Sequence, residues 1–259
     1  MFIKKVVGVT VYISIITLFV FGCMNIKSSV GNKNIEKYFH ENVDERYRIG
    51  VENYVFLIKN HQMELGCDDL TSDPMCMPLT TSTATGLVFS SDKNSLFVLT
   101  AAHFCKSYPI LGTSEIIYGV AKDQERPLYI LAMDEETDIC LLMGTKYNNE
   151  AFNQIKLELN VPSIGSDVYT VASPNGVAGE GLRPIFTGKF AGCNDINCMT
   201  TIPATFGSSG AGIYTSEGKL ITIVMAVTTG FENLVLSPSQ EDIHKFILTI
   251  DSVIDIYQY

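Results

Sequence analysis

The sequence predicts an all-β protein, built as a sandwich or a barrel, that ends in one helix. From residue 54 onward, short runs rich in β-branched and aromatic residues are separated by Gly, Pro, Asn and Asp. Hydrophobic residues make up 46% of the 259 residues and charged residues only 18%, so a substantial core can form. No repeat or low-complexity tract interrupts this region. We therefore expect one large β-rich domain.

The strands and the helix follow from local patterns. The predicted strands occupy residues 54–58, 86–89, 96–100, 128–131, 138–143, 167–171 and 220–224. After them, Ser, Pro and two acidic residues in 237–242 form a helix start with a capping serine. Ile243, Phe246, Ile247 and Ile250 then lie on one helical face. The last element is therefore predicted as a helix over residues 238–255.

The N-terminus has the pattern of an export signal. Lys4 and Lys5 precede an uncharged stretch over residues 6–23, which is about 27 Å long as a helix. Three outcomes remain open: cleavage, retention as a membrane anchor, or lipidation at Cys23. We predict a signal peptide or anchor at residues 1–23 and a polar tether at 24–46. The domain is expected to be membrane-associated in the periplasm or at the cell surface, or secreted.

The charge and the histidine and cysteine patterns argue against nucleic acid and metal ions as partners. The net charge of −10, with scattered basic residues, argues against nucleic acid as the partner. With four histidines and no C-x-x-C spacing, we expect no metal site and no cofactor.

Six cysteines remain beyond Cys23, an even number that is compatible with disulfides in an exported chain. Two pairs are close in sequence, Cys67 with Cys76 and Cys193 with Cys198, and each could clip a loop. Buried free thiols are the alternative interpretation.

Three segments hold candidate catalytic residues. His103 directly follows a buried strand, Asp138 begins another, and Ser209 lies in the Gly-rich turn at residues 206–212. Amide hydrolysis by serine needs a base for the hydroxyl, a group that orients the base, and donors for the oxyanion. Each segment alone is more often structural. Their occurrence together, in an exported β-rich chain, favours catalysis.

These segments also resemble a known family. The blocks at residues 100–103, 137–142 and 207–212 look like the signature blocks of trypsin-like serine peptidases. The resemblance is closest to the bacterial branch that contains the glutamyl endopeptidases and the DegP/HtrA proteases. It covers roughly residues 50–255 in the correct order, and we expect no PDZ domain to follow.

The resemblance implies a peptidase domain at residues 47–255, made of two packed antiparallel six-stranded β-barrels. The first barrel would span about residues 50–150, the second about 155–237, and the helix 238–255. Ser209 would be the nucleophile, His103 the general base and Asp138 the orienting carboxylate. The N–H groups of Gly207 and Ser209 would bind the oxyanion. If His103 and Asp138 meet, Cys105 and Cys140, each two residues further on, could pair.

Departures from the family pattern bear on activation and specificity. Ser208 stands where trypsin has the aspartate that binds a newly cut N-terminus, so that ion pair is not expected. Residues 201–205 carry no charge, and 225–230 are apolar or hydroxyl-bearing, which suggests an uncharged or small substrate side chain. We predict a serine endopeptidase acting on proteins or peptides. The alternatives are a catalytically inactive trypsin-fold module that binds proteins, and a structural β protein.

Overall fold

The computed structural model describes residues 43–63, 80–106, 113–147, 150–177, 182–228 and 230–257, all within one compact unit at residues 39–259. The predicted signal or anchor, Cys23, the tether up to residue 42 and the Cys67–Cys76 pair lie outside these residues. Across the described ranges, no helix is both long enough and apolar enough to cross a membrane.

The first half of the domain is a closed antiparallel barrel. Its strands are β1 (Tyr54–Met63), β2 (Thr80–Ser91), β3 (Ser95–Ala101), β4 (Thr113–Ala121), β5 (Gln124–Asp134) and β6 (Ile139–Thr145). They are hydrogen-bonded in the order β1-β2-β3-β6-β5-β4, and the ring closes between β4 and β1. Alternate residues of each strand point inward, so the interior is filled by aliphatic side chains such as Leu57, Val98 and Leu142. The first predicted barrel is confirmed.

The second half is a seven-stranded antiparallel sheet. Its strands are β7 (Asp167–Val171), β8 (Ile185–Cys193), β9 (Asn197–Thr200), β10 (Gly212–Thr215), β11 (Leu220–Ile223), β12 (Ala226–Thr228) and β13 (Phe231–Pro238). The order is β11-β10-β7-β8-β9-β13-β12. A second antiparallel β half is present as predicted, but its strand count differs from six. The reason is that Val224 and Met225 bond to Ala211 and Leu236, which divides one apolar run into β11 and β12.

Three α-helices are found in the described part of the unit. Helix α1 (Arg48–Asn53) precedes β1, α2 (Ala102–Cys105) follows β3, and α3 (Gln240–Tyr257) ends the chain. The C-terminal helix is confirmed, although it begins at Gln240 because Pro238 still belongs to β13. Its cap is Ser239, whose Oγ accepts a hydrogen bond from Asp242 N–H at 3.1 Å.

The segment before β1 packs against the second sheet. Tyr47, in a 3-10 turn at Glu45–Tyr47, contacts Tyr169 edge-on, and Tyr169 stacks on Tyr214 at 5.1 Å. Gly50 of α1 packs closely against the rings of Tyr169 and Tyr214, since a Cβ there would lie 2.9 Å from the Tyr169 ring. Val43, within the predicted tether, also packs against this core. The chain therefore contacts the second sheet before it enters the first barrel.

Candidate active site

His103 lies on a single helical turn at the end of a buried strand. Ala101 pairs with Ile139 of β6, and Ala102 N–H then donates to Asp138 O at 3.1 Å. The turn closes through Lys106 N–H, which donates to Ala102 O at 2.8 Å. The alanines before His103 are buried, whereas the imidazole is 50% exposed. The sequence thus fixes the backbone of this residue and leaves its ring accessible.

Asp138 reaches His103 with both carboxylate oxygens. It ends the β5–β6 turn with φ 58°, a left-handed conformation that aspartate tolerates better than most residues. Oδ1 accepts a hydrogen bond from His103 N–H at 2.7 Å, and Oδ2 lies 2.8 Å from His103 Nδ1. Because a carboxylate can only accept, Nδ1 must carry the proton. Nε2 is then the basic nitrogen of the neutral ring.

Ser209 lies in a tight turn that requires glycine on both sides. Gly207 has φ 88° and Gly210 has φ 82°. Ser208 N–H donates to Thr205 O at 3.0 Å and Ala211 N–H to Ser208 O at 3.1 Å. A Cβ on Gly210 would lie 2.1 Å from Thr100 Oγ1, so no other residue fits there without a rearrangement. Thr100 is three residues before His103, which places the serine turn against the histidine-bearing strand.

Thr85 of β2 connects the serine turn to the first barrel. Its N–H donates to Ser209 O at 2.9 Å, and its hydroxyl donates to Gly207 O at 2.8 Å. The same hydroxyl accepts from Ser173 N–H at 2.9 Å, and Thr85 O accepts from Thr100 Oγ1 at 2.8 Å. All these groups belong to buried residues or to the serine turn. One threonine therefore fixes the turn relative to the strands around it.

The predicted oxyanion donors are unpaired. Among the residues that the structure describes, neither Gly207 N–H nor Ser209 N–H donates a hydrogen bond. Phe206 C=O accepts from Asn175 N–H at 2.5 Å. In a trans peptide the C=O and the following N–H point in opposite directions, so this bond turns Gly207 N–H away from Asn175. Two free donors in one turn can bind an anionic oxygen.

The structure brings two of the three predicted catalytic residues into direct contact. His103 and Asp138 are hydrogen-bonded, and the backbone of Ser209 is bonded to Thr85 in a turn that lies against Thr100, three residues before His103. The Ser209 hydroxyl makes no hydrogen bond to any residue that the structure describes. The pocket residues proposed at 225–230 include Val227, which pairs with Val235 of β13. Val235 is fully buried.

Both described cysteine pairs are close. Cys105 and Cys140, beside His103 and Asp138, have Cα atoms 6.6 Å apart, within the range of a disulfide. Cys193 and Cys198 face each other across the β8–β9 hairpin with Cα atoms 4.0 Å apart.

Two residues that contact the site were not predicted as functional. The hydroxyl of Thr85 and the amine of Lys59 each bind backbone groups next to a predicted catalytic residue. A polar residue at an inward-facing position of an otherwise apolar strand is the signal that could have identified them.

Comparisons with known proteins bear on the family and the fold. The family model described as "Trypsin-like peptidase domain" matches residues 84–223, just over half of the chain. No curated protein matches the sequence. An HtrA-type protease solved with a tripeptide is similar at a TM-score of 0.58 and 15% identity, over 80% of this chain and 62% of that chain.

Two further solved structures are similar. A serine endoprotease from Yersinia pestis has a TM-score of 0.58 and 17% identity, over 80% of this chain and 65% of that chain. A protease from M. tuberculosis in its active form has a TM-score of 0.53 and 13% identity, over 75% and 78% of the two chains. The chain thus spans less than two thirds of the HtrA-type protease and of the Yersinia pestis enzyme. At these identities the likeness is one of fold.

Proposed function

The chain belongs to the trypsin-like peptidase family, and from this membership we propose that it is a serine endopeptidase acting on proteins or peptides. The observation that carries the proposal is the double contact between His103 and Asp138. It fixes the imidazole in the tautomer whose Nε2 can accept a proton, and the ring is half exposed. Such an arrangement suits a general base for a neighbouring hydroxyl.

The proposed reaction proceeds in two stages. Nε2 of His103 accepts the proton of Ser209 Oγ as that oxygen bonds to the scissile carbonyl carbon. The N–H groups of Gly207 and Ser209 bind the resulting oxyanion. As the tetrahedral intermediate collapses, the C–N bond breaks and the amine leaves with the proton from Nε2. Water then attacks the acyl-enzyme with the same base, and Ser209 is released.

The proposed specificity is for a small, uncharged side chain before the scissile bond. Residue 224 bonds to Gly210 through its carbonyl, so the following residues 225–228 lie beside the serine turn. Val227 pairs with Val235 on the adjacent strand β13, and Ala204, five residues before Ser209, is buried. None of these groups can pair with a charged substrate side chain.

The proposed enzyme needs no freshly cut N-terminus. Ser208, which precedes the nucleophile, is buried, and its hydroxyl accepts a bond from Thr205 N–H at 3.4 Å. No carboxylate stands at this position to receive an ammonium group.

Location remains a proposal that rests on the sequence. The basic start and the uncharged run at residues 6–23 support export, with membrane association through the N-terminus. In an oxidising compartment, we expect disulfides at Cys105–Cys140 and Cys193–Cys198.

A fluorophosphonate probe tests the nucleophile. We expect the full chain, in detergent, to be labelled, and Ser209→Ala to abolish the labelling. Ser208→Ala is the matched control, since it removes a hydroxyl from the adjacent residue and should keep the labelling. Peptides with Ala or Val before the scissile bond should then be cleaved faster than those with Arg, Glu or Phe.

The opposite results would support the inactive binding module. A folded wild-type chain that is never labelled, or equal labelling of wild type and Ser209→Ala, would contradict the endopeptidase proposal. Stable binding of an uncleaved protein would then be the property to measure.

A further inference from the structure

We propose that Lys59, a lysine inside the first barrel, is a positioning residue for His103. The inference rests on the proposed function and concerns a residue outside the triad. Among the described basic residues, only Lys59 and Arg126 are almost wholly buried. Burying an ammonium group is costly unless it is paired and hydrogen-bonded. The partners of Lys59 therefore indicate its role.

Lys59 projects into the barrel at the end where His103 lies. Val55 and Leu57 of β1 point into the aliphatic interior, and Lys59 follows at the same two-residue spacing. It is 4% exposed. On the neighbouring strand β4 it pairs with Ile117, and Glu115 lies two residues further along the same face.

The amine of Lys59 binds the turn that carries His103. Nζ donates to Lys106 O at 2.7 Å and to Phe104 O at 3.2 Å. The carboxylate of Glu115, whose side chain is 10% exposed, lies 3.2 Å from the same nitrogen. The carbonyls at the C-terminal end of a helix have no partners within the helix. Lys59 supplies them with a charged donor, and Glu115 balances that charge.

The turn needs this support because it is short. Helix α2 spans four residues, has no side-chain cap at its start, and closes with one backbone bond from Lys106 N–H to Ala102 O. A single turn is unstable alone. β-Pairing fixes it before His103, and Lys59 fixes it after His103, together with the contact of Cys105 with Cys140. Nε2 can serve Ser209 only if the turn holds the ring within a fraction of an ångström.

Stability alone does not explain the lysine. An apolar residue of similar volume at position 59, with another in place of Glu115, would fill the barrel interior without the cost of desolvating two charges. Such a residue could not bind the two carbonyls, and the end of the turn would be free to move. The contacts therefore point to placement of His103 as the role of the ion pair.

The test compares Lys59→Met with Arg126→Met in the full chain. Arg126 is the matched control: it is a buried cation of the same barrel, and its guanidinium binds Glu150 and Thr145 O. Thr145 is six residues along β6 from Ile139, or about 20 Å from the His103 end. The measurements are the acylation rate with the fluorophosphonate probe, kcat and KM on a peptide, and the low-field proton resonance of His103 Nδ1–H.

For Lys59→Met we expect acylation and kcat to fall about 10- to 100-fold with KM within about twofold, because the base is misplaced but the pocket is intact. The His103 resonance should shift or broaden, and the Lys106 amide should exchange at least about tenfold faster. Arg126→Met should keep the wild-type rates and resonance. Wild-type values for folded Lys59→Met would overturn the inference.

Glu115→Gln covers the case in which Lys59→Met does not fold. It keeps the volume and the lysine but removes the balancing charge, and we expect acylation to fall about threefold to tenfold. An unchanged rate and resonance would contradict the inference. If the wild-type chain is never acylated, the proposed function fails. The Lys106 amide exchange in the same variants still decides whether Lys59 holds the turn.

Discussion

At the scale of single residues, Asp138 combines an uncommon backbone conformation with two hydrogen bonds to His103. Its left-handed backbone is unfavourable for most residues, yet it lets one side chain accept two hydrogen bonds from His103, from the ring and from the main chain. The backbone bond fixes where the histidine is, and the ring bond fixes its tautomer.

Asp138→Asn should therefore leave the fold intact and remove the basic Nε2. An asparagine amide can donate to Nδ1, which favours the tautomer with the proton on Nε2. By analogy with other Ser-His-Asp enzymes, we expect kcat to fall by about 10⁴ with little change in KM. Steady-state kinetics on one peptide measures this. Glu136→Gln, an exposed acid in the same turn, should keep full activity. A loss below about tenfold in Asp138→Asn would show that this carboxylate does not set the tautomer.

The sequence predicted His103, Asp138 and Ser209 because their neighbours form recognisable local blocks. It did not predict Lys59 or Thr85, since the groups that bond to their side chains lie 45 to 122 positions away in the chain. From sequence alone, Lys59 marks the end of the apolar run at residues 54–58. Only the structure shows that its amine binds the carbonyls of Phe104 and Lys106.

At the scale of elements, one residue of β2, Thr85, bonds to the serine turn through both its backbone N–H and its hydroxyl. Thr85 is the only residue among those described whose hydroxyl bonds both Ser173 N–H and Gly207 O. Gly207 carries one of the two proposed oxyanion donors, so the position of this residue depends in part on a strand from the other half of the domain.

Thr85→Val keeps the shape of the side chain and removes both bonds. Leaving Ser173 N–H and Gly207 O unpaired in a buried region should lower the free energy of unfolding by about 1–3 kcal/mol. We also expect kcat to fall about tenfold because the oxyanion donors are less well fixed. Thr222→Val is the control: it removes a buried hydroxyl that donates to Pro238 O. It should lower stability without lowering kcat. Equal kcat values for the two variants would argue against the role of Thr85.

Prediction of the elements was best where strands are buried. The runs that became β3, β6 and β11 are almost continuously apolar, and each was predicted. Strand β8 was missed because most of its side chains are exposed or half-buried and its sequence includes Thr187, Gly188 and Lys189. Its pairing with β7 and β9 is decided by backbone register, which local sequence does not specify.

At the scale of the whole domain, three tyrosines join the segment before β1 to the second sheet. Tyr47 contacts Tyr169, which stacks on Tyr214. Burial raises the pKa of Tyr169 to about 12 and raises the pKa of Tyr214 as well. The folded domain therefore keeps the hydroxyls of Tyr169 and Tyr214 protonated at a pH where exposed tyrosines ionise.

This difference predicts alkaline destabilisation. An unfolded tyrosine loses its proton near pH 10. The contribution of Tyr169 is complete below that pH, and it is lost as the pH rises from about 10 to about 12. Urea unfolding at pH 8, 10 and 11 should show a falling midpoint, and Tyr169→Phe should reduce the fall. Tyr129→Phe, at a position that is 65% exposed, should leave it unchanged. If the urea midpoint fell equally with pH in Tyr169→Phe and Tyr129→Phe, Tyr169 would be excluded as the cause.

Because Thr85 joins the two halves of the domain, the proposed site is complete only after both halves have folded. His103 and Asp138 come from the first barrel, whereas Ser209 and both oxyanion donors come from a segment translated about 70 residues later. A chain that has folded only its first half holds a base with no nucleophile. We therefore expect the proposed peptidase to stay inactive until the second sheet has docked on β2, which delays any cleavage of neighbouring proteins until then.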